Sequence, residues 1–481
     1  MNAPLLSHKH HRAAAIDLTT GKPLSRILLF MLPMIIGNII QQLYSLVDTI
    51  IVGQALGSDA LAGVGSTGAA SMLILGLVGG LATGFSVIVS QRCGAKDEEG
   101  MRRSFAVGIT LMVAIVSALT VIALFVAKPM LTAMHTKEEF MPYAYDYIIV
   151  IFGGMLISAF NNLFGSILRA IGDSKIPLFL LIISCFINGG LDCLFVMGLD
   201  MGVTGAAIAT LIASASSAIL TFVYLWVRYP VLRIKLRHFR PDFKLYGHHL
   251  KLGLPMSLQM SVISIGMIFC QSALNTLSPT AVTAYVAACR IDGLATSILN
   301  SFGGGMAMYV GQNYGAKKYD RIKVGVARIT VFAVCLALSI TIFELSMYRP
   351  LIKLFISKSD QSEELFEYAL KFLLLNSSFY ITLGTLCITR GALQGMGRGT
   401  IALASGAAEV VMRVVISLIA MHFSSFLIVC LCNCMSWVAA NAVLVPAFFL
   451  VLRKYTPVFG SVPQYAKLPN PSEIPYSKRL Y

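Results

Sequence analysis

The run Leu32-Pro-Met-Ile-Ile-Gly-Asn-Ile-Ile-Gln-Gln-Leu-Tyr-Ser-Leu-Val-Asp-Thr-Ile-Ile-Val-Gly53 is long enough to cross a bilayer as a helix, which takes about 20 residues. It nevertheless carries Asn38, Gln41, Gln42, Tyr44 and the ionisable Asp48. Gln41, Tyr44 and Asp48 stand at i, i+3 and i+7, so they share one helical face. A carboxylate in hydrocarbon costs about 3 kcal/mol or more, so Asp48 is expected to face protein or water and is a functional candidate. The plainer alternative is an acid locked by a neighbouring donor. Pro33, near the start of the same helix, removes a backbone hydrogen bond and invites a bend. A bendable helix with a polar face in an apolar chain suggests a protein that moves to let a solute across.

Working outward, the whole chain has this apolar character. Of its 481 residues, 57% are hydrophobic and 12% are charged, and the mean hydropathy is +0.78. A soluble chain carries about 25% charged residues, so this is an all-α polytopic membrane protein. The net charge of +15 is read first as a topology signal, and nucleic acid is not implied. The N-terminal tail lacks a signal-peptide pattern, so the first apolar span is expected to stay in the membrane uncleaved. Most of the ten cysteines lie in apolar spans as small hydrophobes. Cys430, Cys432 and Cys434 alternate, and alternate residues diverge on a helix, so packing is expected there and not a metal site. His8, His10 and His11 read as a polar tail.

Twelve apolar spans are expected near 27–52, 61–90, 105–127, 143–164, 177–198, 203–226, 253–275, 281–311, 326–346, 368–389, 400–420 and 426–452. Lysine and arginine divide unevenly between the two sets of loops. One set, with both tails, holds 29; the other holds Lys128, Lys137, Arg349, Lys353 and Lys358. Both termini are therefore expected in the cytoplasm. The chain also repeats. Leu32-Pro33-Met34 recurs as Leu254-Pro255-Met256. Gln91-x-x-Gly94-Ala95-Lys96 recurs as Gln312-x-x-Gly315-Ala316-Lys317, and Leu168-x-x-x-Gly172 recurs as Leu393-x-x-x-Gly397. Two parallel six-helix repeats follow, with a substrate site expected between them. The expected organisation is a cytoplasmic tail (1–25), an N-lobe (26–227), a basic linker (228–252), a C-lobe (253–453) and a second cytoplasmic tail (454–481).

Polar residues inside the spans point to a site. Asn188 and Asp192 are i, i+4 and share a face. Counted from the span ends at about 1.5 Å per residue, Asp48, Asp192, Thr210 and Tyr147 all fall in the outer third of the membrane. Two carboxylates at one depth resist ionising together, so the pair is expected to titrate as a unit and to attract a cation. Gln41 and Tyr44 are expected in the same cleft. The second half differs: Cys270 and Ser417 stand where Asp48 and Asp192 stand in the first. It places Arg290 and Asp292 in span eight and Glu409 and Arg413 in span eleven, a set that sums to zero charge. A neutral network that holds the bundle and a substrate role both remain open for it. Gln259 is a weaker candidate of the same kind.

At these residues the chain resembles the multidrug and toxic compound extrusion (MATE) family over about residues 24–455. The resemblance rests on Leu32-Pro33, Val47-Asp48-Thr49 with Val52-Gly53, Gln312-Asn313-x-Gly315-Ala316, Leu168-Arg169-Ala-x-Gly172-Asp173 and Asn188-x-x-x-Asp192. It implies two six-helix lobes around a V-shaped cleft and export of cationic amphiphiles in exchange for protons or sodium. The family's bending proline falls on Pro33, its amino-lobe acid on Asp48, and its partner residues on Asn188, Asp192, Thr210 and Tyr147. Some members carry acids in the seventh and tenth helices. Here 257–266 and 389–398 hold none, so coupling is expected in the amino lobe, as in the DinF-like bacterial branch. The resemblance also implies a monomer in a bacterial inner membrane, surrounded by lipid, with no cofactor besides the coupling ion and no nucleic acid.

Two other classes compete. A flippase for a lipid-linked precursor would want positive charge in its cleft, and the amino lobe reads as two acids without a buried arginine. An enzyme would need a convergent site, and no HExxH, GxSxG or glycine-rich nucleotide loop occurs.

Overall fold

The computed structural model describes residues 15–134, 136–356 and 361–455; the side chains at 46–50, 52, 58, 69 and 264 also lie outside the described set. The three tail histidines and the last 26 residues fall outside it as well. Among the described residues every long element is a helix. These are α1 (Pro23–Ser66), α2 (Gly68–Gly94), α3 (Glu98–Ala133), α4 (Met141–Gly153), α5 (Met155–Ala170), α6 (Lys175–Asp192) and α7 (Gly202–Arg228). The second half follows as α8 (Phe243–Leu274), α9 (Pro279–Gly315), α10 (Tyr319–Lys353), α11 (Glu363–Ser378), α12 (Tyr380–Gly395), α13 (Gly399–Phe423) and α14 (Phe426–Arg453).

Ten of these segments are long and apolar enough to cross a bilayer alone. Two bent pairs, α4 with α5 at 51° and α11 with α12 at 43°, make one crossing each, which gives twelve among the described residues. The two bends are equivalent in the repeat. Gly154 and Phe379, the break residues, are separated by the same interval as Leu168 and Leu393. Large apolar side chains such as Phe125, Phe186 and Ile342 point outward and are exposed, as a lipid-facing surface requires.

The spans differ from expectation in two places. The segment read as 61–90 is interrupted at Thr67, so α2 starts at Gly68. The hydroxyls of Ser66 and Thr67 donate to the carbonyls of Gly63 and Val64, each at 2.7 Å, which favours a break there. Upstream, α1 breaks at Gly57, whose φ of 85° suits a residue without Cβ. Pro33 does not break α1, whose other φ/ψ values stay helical. The basic connection 228–252 is loop only to Asp242. That carboxylate accepts from the N–H groups of Lys244 and Leu245 and so starts α8 early.

Candidate functional site

The site begins at the end of α6. Asn188 is 1% exposed and Asp192 is fully buried. With the Asn188 carboxamide turned so that its nitrogen meets acceptors, Nδ2 donates to Asp192 Oδ2 (2.7 Å) and to Tyr44 Oη (2.9 Å). Its Oδ1 then accepts from the Thr210 N–H at 3.1 Å. The opposite orientation would press the amide oxygen against the carboxylate. Thr210 Oγ1 lies 3.4 Å from the same carboxamide and donates to the Ala206 carbonyl at 3.0 Å. Three helices, α1, α6 and α7, thus meet at one amide, and Tyr44, Asn188, Asp192 and Thr210 come together. Asp48 follows Tyr44 by one turn of α1, and its side chain lies outside the described residues. Tyr147 is half-buried on α4, against the apolar core.

Toward the other end of α1 lies a cavity of about 350 Å³. Pro33, Asn38 and Gln41 line it from α1, Asn162 and Arg169 from α5, and Met308 from α9. Asn38 also donates across the lobes to Ser301 Oγ at 2.8 Å. Arg169 corrects the sequence reading, which assigned it to the basic loops and found no arginine within the amino lobe. Its side chain turns back along α5, reaches Ser166 Oγ at 2.8 Å and forms part of the cavity wall. The absence of such an arginine therefore cannot weigh against a flippase.

The second half separates the four charges that the sequence grouped. Arg290 is exposed, because residues two apart on α9 face opposite sides. Asp292 is 7% exposed, and its Oδ1 accepts from Asn376 Nδ2 (2.7 Å) and Tyr380 Oη (2.8 Å). Tyr380 Oη is also 2.9 Å from Glu344 Oε2. One phenolic proton can point at only one of these carboxyl groups at a time. Glu409 takes a close contact from Arg390 and lies 3.9 Å from Arg413, whose Nη1 donates to the Ile263 carbonyl. With its oxygen toward Arg390, Gln259 accepts from Nε and Nη1, each at 3.1 Å. Glu344 could have been found as an acid inside span nine. Nothing in the sequence marks Tyr380 or Asn376.

The lobes join at the end that carries the basic loops, and the repeated motifs make the joint. Gln91 Nε2 donates to the Gly395 carbonyl at 2.8 Å, and Gln312 Nε2 to the Ala170 carbonyl at 2.9 Å. Each glutamine of the repeat thus holds the turn motif of the other half. Ser90 Oγ adds a bond to the Met308 carbonyl at 3.0 Å. Gly94 lies directly against the Gln312 carbonyl and Gly315 against that of Gln91.

The sequence profile of the MatE family matches residues 33–194 and 255–419. The chain is 29% identical over 312 residues to the probable multidrug resistance protein YpnP of Bacillus subtilis, covering 64% of this chain and 69% of that one. It is 25% identical over 390 residues to the multidrug export protein MepA of Staphylococcus haemolyticus, covering 78% of this chain and 83% of that one. Among solved structures, that of MATE in complex with MaL6 superposes with a TM-score of 0.85 at 26% identity, covering 92% of this chain and 99% of that one.

Proposed function

Because this chain belongs to the MatE family, we propose that it is a secondary active exporter of amphiphilic compounds with a cationic centre, driven by inward movement of protons or sodium. One observation carries the reading: Asp192 is fully buried in a membrane lobe, hydrogen-bonded to Asn188 beside Tyr44 and Thr210. A carboxylate placed so is a site for a proton or a cation. In this reading Asp48 and Asp192 act together. Uptake of a proton from outside neutralises the site, weakens its hold on a cationic compound and favours release. Coupling requires that the protonated and compound-bound forms favour different conformations, since a ligand with equal affinity for both shifts nothing. In this reading the basic loops face the cytoplasm, and the joint at that end closes the cytoplasmic side. The names of the matched relatives favour efflux over the alternative, a flippase for a lipid-linked precursor.

Reconstituted proteoliposomes test the proposal, with a pH gradient or a sodium gradient imposed alone. One of the two is expected to drive uptake of a cationic dye, and Asp192→Asn and Asp48→Asn are each expected to lower the rate at least about tenfold while the protein still inserts. Export at the parental rate in both variants would make the acids structural. A dye that moves equally under either gradient and under none would remove the antiport reading.

A smaller effect is expected at Pro33. If the wall of the cavity bends in each cycle, Pro33→Ala should cut turnover roughly threefold to tenfold and leave dye binding measurable. Undiminished turnover would mean that the proline is only tolerated, as prolines are in many membrane helices.

A further inference from the structure

We infer that the cavity at the base of the N-lobe is an anion-receiving site, where Arg169 holds the acidic group, a carboxylate or a phosphate, of an amphiphile. The inference rests on the exporter reading and narrows its substrate class: compounds that carry an acidic group beside the cationic centre are preferred.

Among the described residues that line the cavity, Arg169 is the one that carries a charge. A guanidinium has five N–H donors, and among the described residues Ser166 Oγ is the acceptor that Arg169 meets. No carboxylate pairs with it there. The other arginines inside the protein are matched. Arg390 and Arg413 share Glu409, and Arg321 is enclosed by backbone carbonyls. A half-buried guanidinium left unmatched is costly, and an incoming carboxylate or phosphate offsets that cost through charge-assisted, bidentate hydrogen bonds. Room for such a group exists. The rest of the polar wall consists of neutral groups, among them the carboxamides of Asn38, Gln41, Asn161 and Asn162, which can donate without adding negative charge. A volume of about 350 Å³ is within the range of small-molecule sites. Tyr44, which meets Asn188 beside Asp192, stands one turn of α1 beyond Gln41.

Two xanthene dyes differ in this charge: rhodamine B has a free carboxylate, and rhodamine 6G, which also differs in its N-alkyl and ring methyl groups, has an ethyl ester there, so the change that a substitution makes in each dye's binding is the readout. Equilibrium binding of each to the full-length protein in phosphatidylcholine nanodiscs needs no ion gradient, so it is independent of the coupling reading. Arg169→Gln should weaken rhodamine B about tenfold and rhodamine 6G less than about twofold, with Arg169→Lys between. Unchanged rhodamine 6G binding reports that the variant is folded. A second arm adds phosphatidylglycerol. If it competes with rhodamine B in the parent and not in Arg169→Gln, a lipid phosphate also occupies the site, which supports the same chemistry. Equal losses for both dyes, or no binding of either dye, would overturn the anion site. Gradient-driven dye transport would leave the exporter reading standing in each of those cases.

Discussion

Gly315→Val, or its twin Gly94→Val, is expected to abolish the form closed at the basic end and to reduce transport at least about tenfold. A Cβ on Gly94 would lie 1.8 Å from the Gln312 carbonyl oxygen, and one on Gly315 would lie 1.8 Å from that of Gln91. Neither obstacle is a flexible side chain. Both are helix backbone, so α2 and α9 would have to part. Separation also strains the Gln91–Gly395, Gln312–Ala170 and Ser90–Met308 bonds, which depend on the same approach. A clash of this kind costs about 3 kcal/mol or more, enough to shift a two-state equilibrium over a hundredfold. The form open at the basic end lacks this contact by construction and should accumulate. Spin labels on the basic loops of the two lobes would read the change as a longer distance. Gly79→Ala, on the same helix with nothing within 4 Å of its added methyl, is the control and should behave like the parent. An unchanged distance distribution in Gly315→Val would show that the closed form tolerates the methyls and that the glycines are not what permits it.

Arg321→Met is expected to be the most destabilising single change at the same end. The side chain is 1% exposed. Its Nη1 donates to the Gly21 carbonyl at 2.6 Å, Nη2 to the carbonyls of Leu18 (3.1 Å) and Thr20 (3.0 Å), and Nε to Asn313 Oδ1 at 3.1 Å. Lys318 Nζ adds a bond to the Thr19 carbonyl at 2.9 Å. The segment before α1 is therefore clasped by the second lobe. It is tied to the first as well, because the Ile16 N–H donates to the Gly172 carbonyl at 2.9 Å. Methionine fills the volume but leaves three carbonyls and an amide without their cation, at a cost of about 3–5 kcal/mol. Thermal unfolding of the purified protein should shift downward by several degrees, and limited proteolysis should cut first between residues 15 and 22. Arg321→Lys should recover little, since an ammonium cannot span the carbonyls that a planar fork reaches. A melting curve that overlays the parent's would show that the clasp adds nothing to stability.

The site was legible in the sequence where its parts are local. Asn188 and Asp192 are one turn apart on one helix, so their contact follows from helical geometry alone. Thr210 follows from depth, an argument that needs only span ends, and Tyr44 from the helical face it shares with Asp48; the same depth argument also grouped Tyr147, which lies against the apolar core. The C-lobe group was not legible as drawn. Glu409 and Arg413 do lie at i, i+4, yet the close partner of Glu409 is Arg390, which sequence reading left among the basic loops. Asp292 was recognised as an intramembrane acid, but its partners come from two other helices, and Tyr380 links it to Glu344 on a third.

By itself the sequence determined the all-helical class, the twelve crossings, the division into two repeated halves and the asymmetry of charge between the two ends. Hydropathy, periodicity and spacing are properties of short stretches, and a bilayer leaves helices almost no alternative for satisfying the backbone. Tertiary structure alone decided what each polar group meets. Asp292 and Tyr380 are 88 residues apart, and Arg321 and Leu18 are 303 apart. The repeated glutamines and glycines could be seen as a repeat, but only the docked lobes show that each half grips the other. A helix of given sequence can turn any of several faces toward a neighbour. Which face it turns is settled by close packing across the whole bundle, and so is whether an arginine such as Arg169 finds an acid or looks into an open cavity.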